Sequence, residues 1–161
     1  MNARILVYGY GNPGRADDGL GPALVQELSQ RGLGSDVAVE SGYQLAIEDA
    51  ALVAEQDVVI FADADRACRD PFELRRLLPR RESSFSTHSV APAVLLGLAH
   101  EHFDCRTTGF ELGIRGYEFD EYAERLSPRA KHNLAAAANY MDRALRDGSL
   151  AGEAVSADPE R

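Results

Sequence analysis

Apolar residues fall alternately into short continuous runs, typical of buried strands, and into the wider spacing of helices. The run Ile5-Leu6-Val7-Tyr8 stops at Gly9 and predicts a strand buried on both faces. Apolar positions from Leu20 to Leu28 recur at helical spacing, and Pro22 suits the first turn of that helix. The same patterns predict strands over 36–40 and 57–62 and a helix over 44–55.

The second half of the chain continues this alternation with one ambiguous segment. Residues 72–78 alternate at first and then lose their period, which fits either an edge strand or a short helix. Helices are predicted over 90–102 and from Pro128 to about Arg146, with a strand over 107–114 between them. Strands alternating with helices predict a three-layer α/β sandwich, in which helices cover both faces of a mainly parallel sheet of about five strands.

Composition and charge narrow the class of protein. The 161 residues are 45% hydrophobic, which suits one globular domain over 1–148 and a mobile tail over 149–161. The formal net charge of −9 argues against nucleic acid and anionic membranes as partners. The two cysteines lack CxxC spacing, and no leader-like pattern precedes the first strand, so a cytoplasmic protein is expected. The stretch free of charged residues, 83–100, begins with polar residues and does not predict a membrane span.

Candidate chemistry lies where the predicted strands end, because open α/β sheets bind ligands beyond the carboxyl ends of their strands. Asp17 and Asp18 follow the first strand, Asp63 ends the third, and His88 precedes a helix. Each has an ordinary structural explanation as a helix cap or a solvated strand end. Two carboxylates and an imidazole together nevertheless form an oxygen and nitrogen donor set suited to Ni²⁺ or Zn²⁺.

The glycine-rich turn after the first strand allows a second interpretation. Residues 9–14 match G-x-G-x-x-G, and Glu40 ends the second strand, where a ribose-binding acid would lie, so a dinucleotide-binding oxidoreductase is an alternative. However, Pro13 removes one backbone donor from the phosphate cradle. Asp17 and Asp18 also place negative charge where a pyrophosphate would bind.

The chain resembles the [NiFe]-hydrogenase maturation endopeptidases nearly from end to end. The resemblance lies in Gly9-Tyr10-Gly11-Asn12-Pro13-Gly14-Arg15-Ala16-Asp17-Asp18-Gly19, Phe61-Ala62-Asp63-Ala64, Ser86-Thr87-His88, and the segment from Gly113-Ile114-Arg115-Gly116 to Leu126-Ser127-Pro128. It implies an enzyme that removes a C-terminal extension from a hydrogenase large-subunit precursor after nickel insertion. The metal-contacting residues would be Asp18, Asp63 and His88.

Two departures from the family accompany this resemblance. Position 18 is Asp where some relatives have Glu, which shortens the side chain by one methylene and keeps its charge. The pair Arg15-Ala16 lacks the glycine that many relatives place before the acids. The resemblance also implies that nickel is substrate-borne and serves as a recognition tag, although another divalent metal such as zinc could occupy the same ligands.

The residue types are compatible with two roles for this site, catalysis by a bound metal or recognition of a metal in the substrate. Cys68 and Cys105 lie outside the motifs, and neither a G-x-S-x-G elbow nor H-E-x-x-H occurs, so the sequence does not indicate a covalent nucleophile or a zincin helix. A metal at Asp18, Asp63 and His88 could activate water, or these residues could bind nickel held by the substrate. A non-catalytic nickel metallochaperone for the same precursor is the remaining alternative.

Overall fold

A computed structural model describes residues 3–82 and 89–150. Its five strands are β1 (Ile5–Tyr10), β2 (Val37–Gly42), β3 (Val58–Asp65), β4 (Phe72–Leu77) and β5 (Thr108–Arg115). Its α-helices are α1 (Leu20–Ser29), α2 (Asp49–Ala54), α3 (Pro92–Phe103) and α4 (Pro128–Asp147). A short 3₁₀ helix, Ala16–Gly19, leads directly into α1.

The strands form a single sheet in the order β2-β1-β3-β5-β4. All neighbouring strands are parallel except β4 and β5, which are antiparallel. From β1 the chain crosses to β2 on one side and returns to β3 on the other, so strand order reverses between β1 and β3. Such a reversal opens a crevice at the carboxyl ends of the two strands.

Alternate residues of the central strands pack into two apolar layers. Val7 and Ile60 face α1 and α4, whereas Leu6 and Phe61 face α2 and α3, and all four side chains are fully buried. Burial on both faces explains why β1 and β3 are nearly continuous apolar runs. The predicted three-layer α/β sandwich with a mainly parallel five-stranded sheet is confirmed.

The structure decides the one ambiguous segment and differs from the sequence pattern at two other places. Residues 72–78 contain an edge strand, β4, which pairs with β5. The helix predicted over 44–55 begins only at Asp49, because the Asp49 carboxylate accepts hydrogen bonds from the Ala46 amide at 2.9 Å and the Tyr8 phenol at 3.2 Å. Those bonds hold the preceding residues in a turn. Strand β3 continues to Asp65, so Asp63 lies within the strand.

The described residues extend the folded part slightly beyond the predicted domain boundary. Leu150 is fully buried in the layer beneath α4, whereas 151–161, the rest of the predicted tail, lies outside the described residues. Among the helices that the structure describes, none combines the length and apolar character needed to cross a bilayer.

Candidate functional site

The crevice between β1 and β3 is built by very close backbone packing. A Cβ on Gly21, at the start of α1, would lie 2.4 Å from the carbonyl oxygen of Tyr10 and 2.6 Å from that of Ala62. Gly11 has a φ of +140°, and a Cβ there would lie 2.1 Å from the carbonyl oxygen of Asp18. Only glycine fits at these two positions, and the contacts fix the 3₁₀ turn that carries Asp18 against the strand ends.

Asp17 is a structural residue of this turn. Its fully buried carboxylate accepts hydrogen bonds from the amides of Tyr117, Glu118 and Ser127 at 2.8, 3.0 and 2.7 Å, and from the Ser127 hydroxyl at 2.7 Å. Burial raises the pKa of Asp17, but these hydrogen bonds outweigh it and leave the pKa below its ordinary value. Asp17 therefore holds the loop 116–127 against the turn and the start of α4.

The residue before this aspartate has an unusual backbone conformation. Ala16 is buried and has a φ of +49°, in the left-handed region that favours glycine. The turn keeps this conformation because the Ala16 amide donates to the carbonyl of Ala123 at 2.9 Å, and the Asp17 amide donates to that of Glu118 at 2.9 Å. A glycine at this position would adopt the same conformation without strain.

Asp18 is arranged differently from its neighbour. It is half-buried, and its carboxylate accepts a hydrogen bond from the Asn12 amide at 2.8 Å. The Asp17 carboxylate is therefore buried in hydrogen bonds that stabilise the fold, whereas the half-buried Asp18 carboxylate lies at the crevice.

Asp63 lies across the crevice from Asp18, near the end of β3. The last registered pair of β1 and β3 is Gly9 with Ala62, so Tyr10 and Asp63 follow as neighbours. The carboxyl group of Asp63 is hydrogen-bonded by the Ala64 amide at 2.8 Å and by the Tyr10 phenol. Burial is the largest cause and raises the pKa of Asp63 to about 7; the charges of Asp18 and Glu111 add to the increase, whereas the two hydrogen bonds oppose it.

The two acids of the crevice differ from the neighbouring acids in having no salt-bridge partner among the described residues. Arg75 on the edge strand pairs with Asp65 at 3.2 Å and with Glu111 at 3.8 Å. Within the described ranges, by contrast, neither Asp18 nor Asp63 forms a salt bridge with a basic side chain. Two neighbouring carboxylates of this kind repel each other when both are ionised, and a cation bound between them would remove that cost.

His88, the third predicted ligand, lies outside the described residues. In residues 3–82 and 89–150 no three His, Cys, Asp or Glu side chains are grouped so as to hold a metal. The part of the predicted site that the structure describes is therefore the pair Asp18 and Asp63.

The glycine-rich turn is not built to hold a pyrophosphate. The Asn12 amide donates to Asp18, and the Gly14 amide donates to the Asn12 side chain at 2.9 Å. The backbone donors that would bind phosphate are thus already occupied, one of them by a carboxylate. The close approaches made at Gly11 and Gly21 are to the protein's own backbone. This geometry disfavours the dinucleotide interpretation.

Neither thiol is arranged as an activated nucleophile. Cys68 is buried, its thiol lies 3.6 Å from the Gly113 carbonyl, and burial together with nearby acids raises its pKa to about 11. Cys105 is half-buried and accepts a hydrogen bond from the Thr107 hydroxyl at 3.5 Å. A thiol must ionise to attack a carbonyl, and at Cys68 burial and the nearby acids outweigh the smaller favourable effects of Arg75 and Arg115 on the thiolate.

Sequence reasoning missed three residues that shape this site: Tyr10, Glu111 and Ser127. The first two influence Asp63 from neighbouring strands, and their proximity depends on a strand order that local patterns do not reveal. Ser127 had a usable signal, since serine directly before proline is typical of a helix start. In the structure Ser127 caps α4, and its hydroxyl also donates to Asp17.

Comparison with known proteins identifies the fold. No family model matches the chain, and no curated protein sequence matches it. The hydrogenase maturating endopeptidase HybD from Escherichia coli superposes with a TM-score of 0.73 at 24% identity, covering 90% of this chain and 93% of that one. A hydrogenase 2 maturation peptidase from a Thaumarchaeota archaeon gives 0.66 at 25% identity, covering 88% and 97%.

A third solved structure extends this likeness. The [NiFe] hydrogenase maturation protease HycI from Thermococcus kodakarensis gives a TM-score of 0.71 at 20% identity, covering 89% of this chain and 93% of that one. The chain therefore has the fold of the hydrogenase maturation proteases over almost its whole length, as the resemblance in its motifs predicts.

Proposed function

We propose that the chain is a processing endopeptidase that removes the C-terminal extension of a [NiFe]-hydrogenase large-subunit precursor after nickel insertion. The observation that carries the proposal is the pair Asp18 and Asp63, two neighbouring carboxylates without a basic partner among the described residues, at the reversal of strand order. This pair lies within a fold shared with hydrogenase maturation proteases. A precursor of this kind is the proposed partner, and the cytoplasm is the proposed compartment.

The donor chemistry of the crevice fits nickel held by a substrate. Carboxylate oxygens are available from Asp18 and Asp63, and His88 is the proposed nitrogen donor. A structural zinc site would usually close its coordination with thiolates, and the Cys68 thiol is buried against Gly113. Two carboxylates and one imidazole leave coordination positions for ligands from the precursor, as a recognition site for a substrate-borne ion requires. Another divalent metal such as zinc could bind the same donors.

Asp63 is suited to binding a cation by exchange with a proton. Its pKa of about 7 in the metal-free protein means that the carboxyl group is partly protonated near neutral pH. The Tyr10 phenol and the Ala64 amide fix the orientation of this carboxyl group. We therefore assign Asp63 contact with the nickel of the precursor, because a cation bound there favours the ionised carboxylate and releases the proton that the free protein holds.

The experiment that tests this proposal incubates the protein with a purified, nickel-loaded large-subunit precursor and follows the precursor mass. The wild type is expected to remove the C-terminal extension. Asp18→Asn, Asp63→Asn and His88→Ala are expected to remain folded and to lose cleavage. Binding without cleavage by the wild type would instead indicate a nickel metallochaperone.

Asp104→Asn is the matched control for these variants. Asp104 is an exposed aspartate that follows α3 in a left-handed conformation, which asparagine adopts readily. It precedes β5 and therefore lies at the amino end of the sheet, opposite the crevice. Its substitution is expected to leave the cleavage rate unchanged. If Asp18→Asn and Asp63→Asn cleave as fast as this control, the site assignment is wrong.

A further inference from the structure

The free side of β2 carries a row of outward-facing backbone groups. The carbonyls of Asp36 and Gly42 accept hydrogen bonds from the Ile5 and Gly11 amides at 2.9 and 3.0 Å, so even-numbered residues of β2 turn their backbone groups toward β1. Since these groups alternate along a strand, Val39 and Ser41 direct theirs away from the sheet. Within the described residues no other strand pairs with this side of β2.

This edge leads directly to the candidate site. At its carboxyl end Gly42 is hydrogen-bonded to Gly11, and the backbone of Gly11 packs on the carbonyl of Asp18. A mainly apolar cavity of about 180 Å³ lies at the junction, with Pro13, Pro22 and Tyr43 in its wall. Tyr43 is 73% exposed although it is a large aromatic residue. The edge, the cavity and the Asp18 turn thus form one continuous surface.

We infer that the β2 edge binds an extended segment of the precursor next to the cleavage point, as an additional strand of the sheet. This inference rests on the proposed function. A peptide bond inside a helix or hairpin has its amide and carbonyl committed to that structure, so a protease must receive its substrate extended. An extended segment needs partners for its own backbone groups, and an open sheet edge supplies them.

The occupant follows from the continuity between this edge and the crevice. A segment paired along Val39 and Ser41 is directed toward the Asn12–Asp18 loop, and an apolar side chain beyond the pairing reaches the cavity beside Tyr43. Backbone pairing provides affinity with little dependence on sequence, whereas the cavity provides selectivity for one apolar residue. A second copy of this chain could use the same edge, and the test below separates the two.

Amide hydrogen exchange at β2 tests the inference without relying on activity. In the free protein the amides of Val39 and Ser41 are expected to exchange rapidly, and those of Ala38 and Glu40, which face β1, slowly. Addition of nickel-loaded precursor is expected to slow exchange at Val39 and Ser41 by about tenfold or more. Ala38 and Glu40 serve as internal controls and are expected not to change.

A proline variant provides a kinetic test of the same contact. Ser41→Pro removes an outward-facing amide and leaves the bonds to β1 in place, a substitution that edge strands tolerate. The KM for nickel-loaded precursor is expected to rise about tenfold, as for the loss of a good hydrogen bond, with kcat little changed. A melting curve confirms that the variant is folded.

The possible outcomes separate this inference from the proposed function. If the precursor is cleaved while exchange at Val39 and Ser41 and the KM of Ser41→Pro stay unchanged, the edge is not the binding site and the function stands. If protection at the two amides appears with protein concentration alone, the edge pairs with a second copy and the inference is overturned. If the precursor is neither bound nor cleaved, the proposed function fails and the inference fails with it.

Discussion

Replacing Asp17 with asparagine is expected to destabilise the protein, whereas the same substitution at Asp18 is expected to leave stability nearly unchanged. The two residues are adjacent and chemically identical, but Asp17 is fully buried and Asp18 is only half-buried. The Asp17 carboxylate accepts four hydrogen bonds, and Asp18 accepts one from the Asn12 amide. This pair of variants therefore separates a structural carboxylate from a functional one.

The expected cost at position 17 follows from its donors. Asparagine offers one acceptor oxygen, so in either orientation at least one of the backbone amides of Tyr117, Glu118 and Ser127 faces an NH₂ group. An unsatisfied buried donor costs about 1–3 kcal/mol, and the remaining bonds lose their charge assistance. Asparagine avoids the cost of burying a charged carboxylate, and this offsets part of the lost stability. A net loss of about 3 kcal/mol corresponds to a melting temperature lower by about 6–12 °C in a domain of this size.

Asparagine at position 18 has a smaller effect, because its side-chain oxygen can accept the same bond from the Asn12 amide. The substitution also removes a negative charge that raises the pKa of Asp63. Stability is expected to change by less than about 0.5 kcal/mol or to increase. Precursor cleavage is nevertheless expected to be lost.

Thermal unfolding of the two variants, followed by circular dichroism at pH 7 without metal, measures this difference. Ser127→Ala should show less-than-additive destabilisation when combined with Asp17→Asn, because the two side chains share a hydrogen bond. Equal loss of melting temperature in Asp17→Asn and Asp18→Asn would refute the division of roles between these residues.

Three further predictions concern other residues of the crevice and its neighbourhood. The pKa of Asp63 is about 7 in the folded protein and about 3.9 in the unfolded chain, so metal-free protein should lose stability as the pH rises through this interval. Asp63→Asn should therefore raise the melting temperature more at pH 8 than at pH 5. Equal gains at the two pH values would contradict this prediction. Combined Cys68→Ala and Cys105→Ala substitutions should preserve precursor cleavage, and a folded but inactive double variant would indicate thiol chemistry. Gly21→Ala should lower stability by about 1–3 kcal/mol, because its Cβ meets the Tyr10 carbonyl at 2.4 Å; an unchanged melting curve would contradict the close packing of α1.

The sequence predicts the fold well wherever burial is uniform. Strands β1 and β3 are buried on both faces and appear as continuous apolar runs, and α4 begins at a serine–proline pair. The sequence predicts the fold less well where tertiary contacts determine the type or the bounds of an element. The segment containing β4 is an edge strand because β5 pairs with it, and the start of α2 is delayed by the bond between Tyr8 and Asp49.

Less of the candidate site could be derived from the sequence than of the fold. The rule that ligands bind at the carboxyl ends of strands selects the loops that hold Asp18 and Asp63, and the resemblance in the motifs selects these two acids from their neighbours. The division of labour between Asp17 and Asp18 does not follow from the sequence, because the donors to Asp17 lie 100 or more residues away in sequence. The influence of Glu111 on Asp63 likewise depends on β5 lying beside β3.

We propose that this protein recognises the nickel of a hydrogenase large-subunit precursor through Asp18, Asp63 and His88 and then removes the C-terminal extension. The most direct test compares nickel-loaded and nickel-free precursor side by side, with mass spectrometry to follow the C-terminal extension and no free metal in the buffer. The extension is expected to be lost only from nickel-loaded precursor, and to be retained with Asp63→Asn. Equal cleavage of the nickel-free precursor would show that the protein does not recognise nickel.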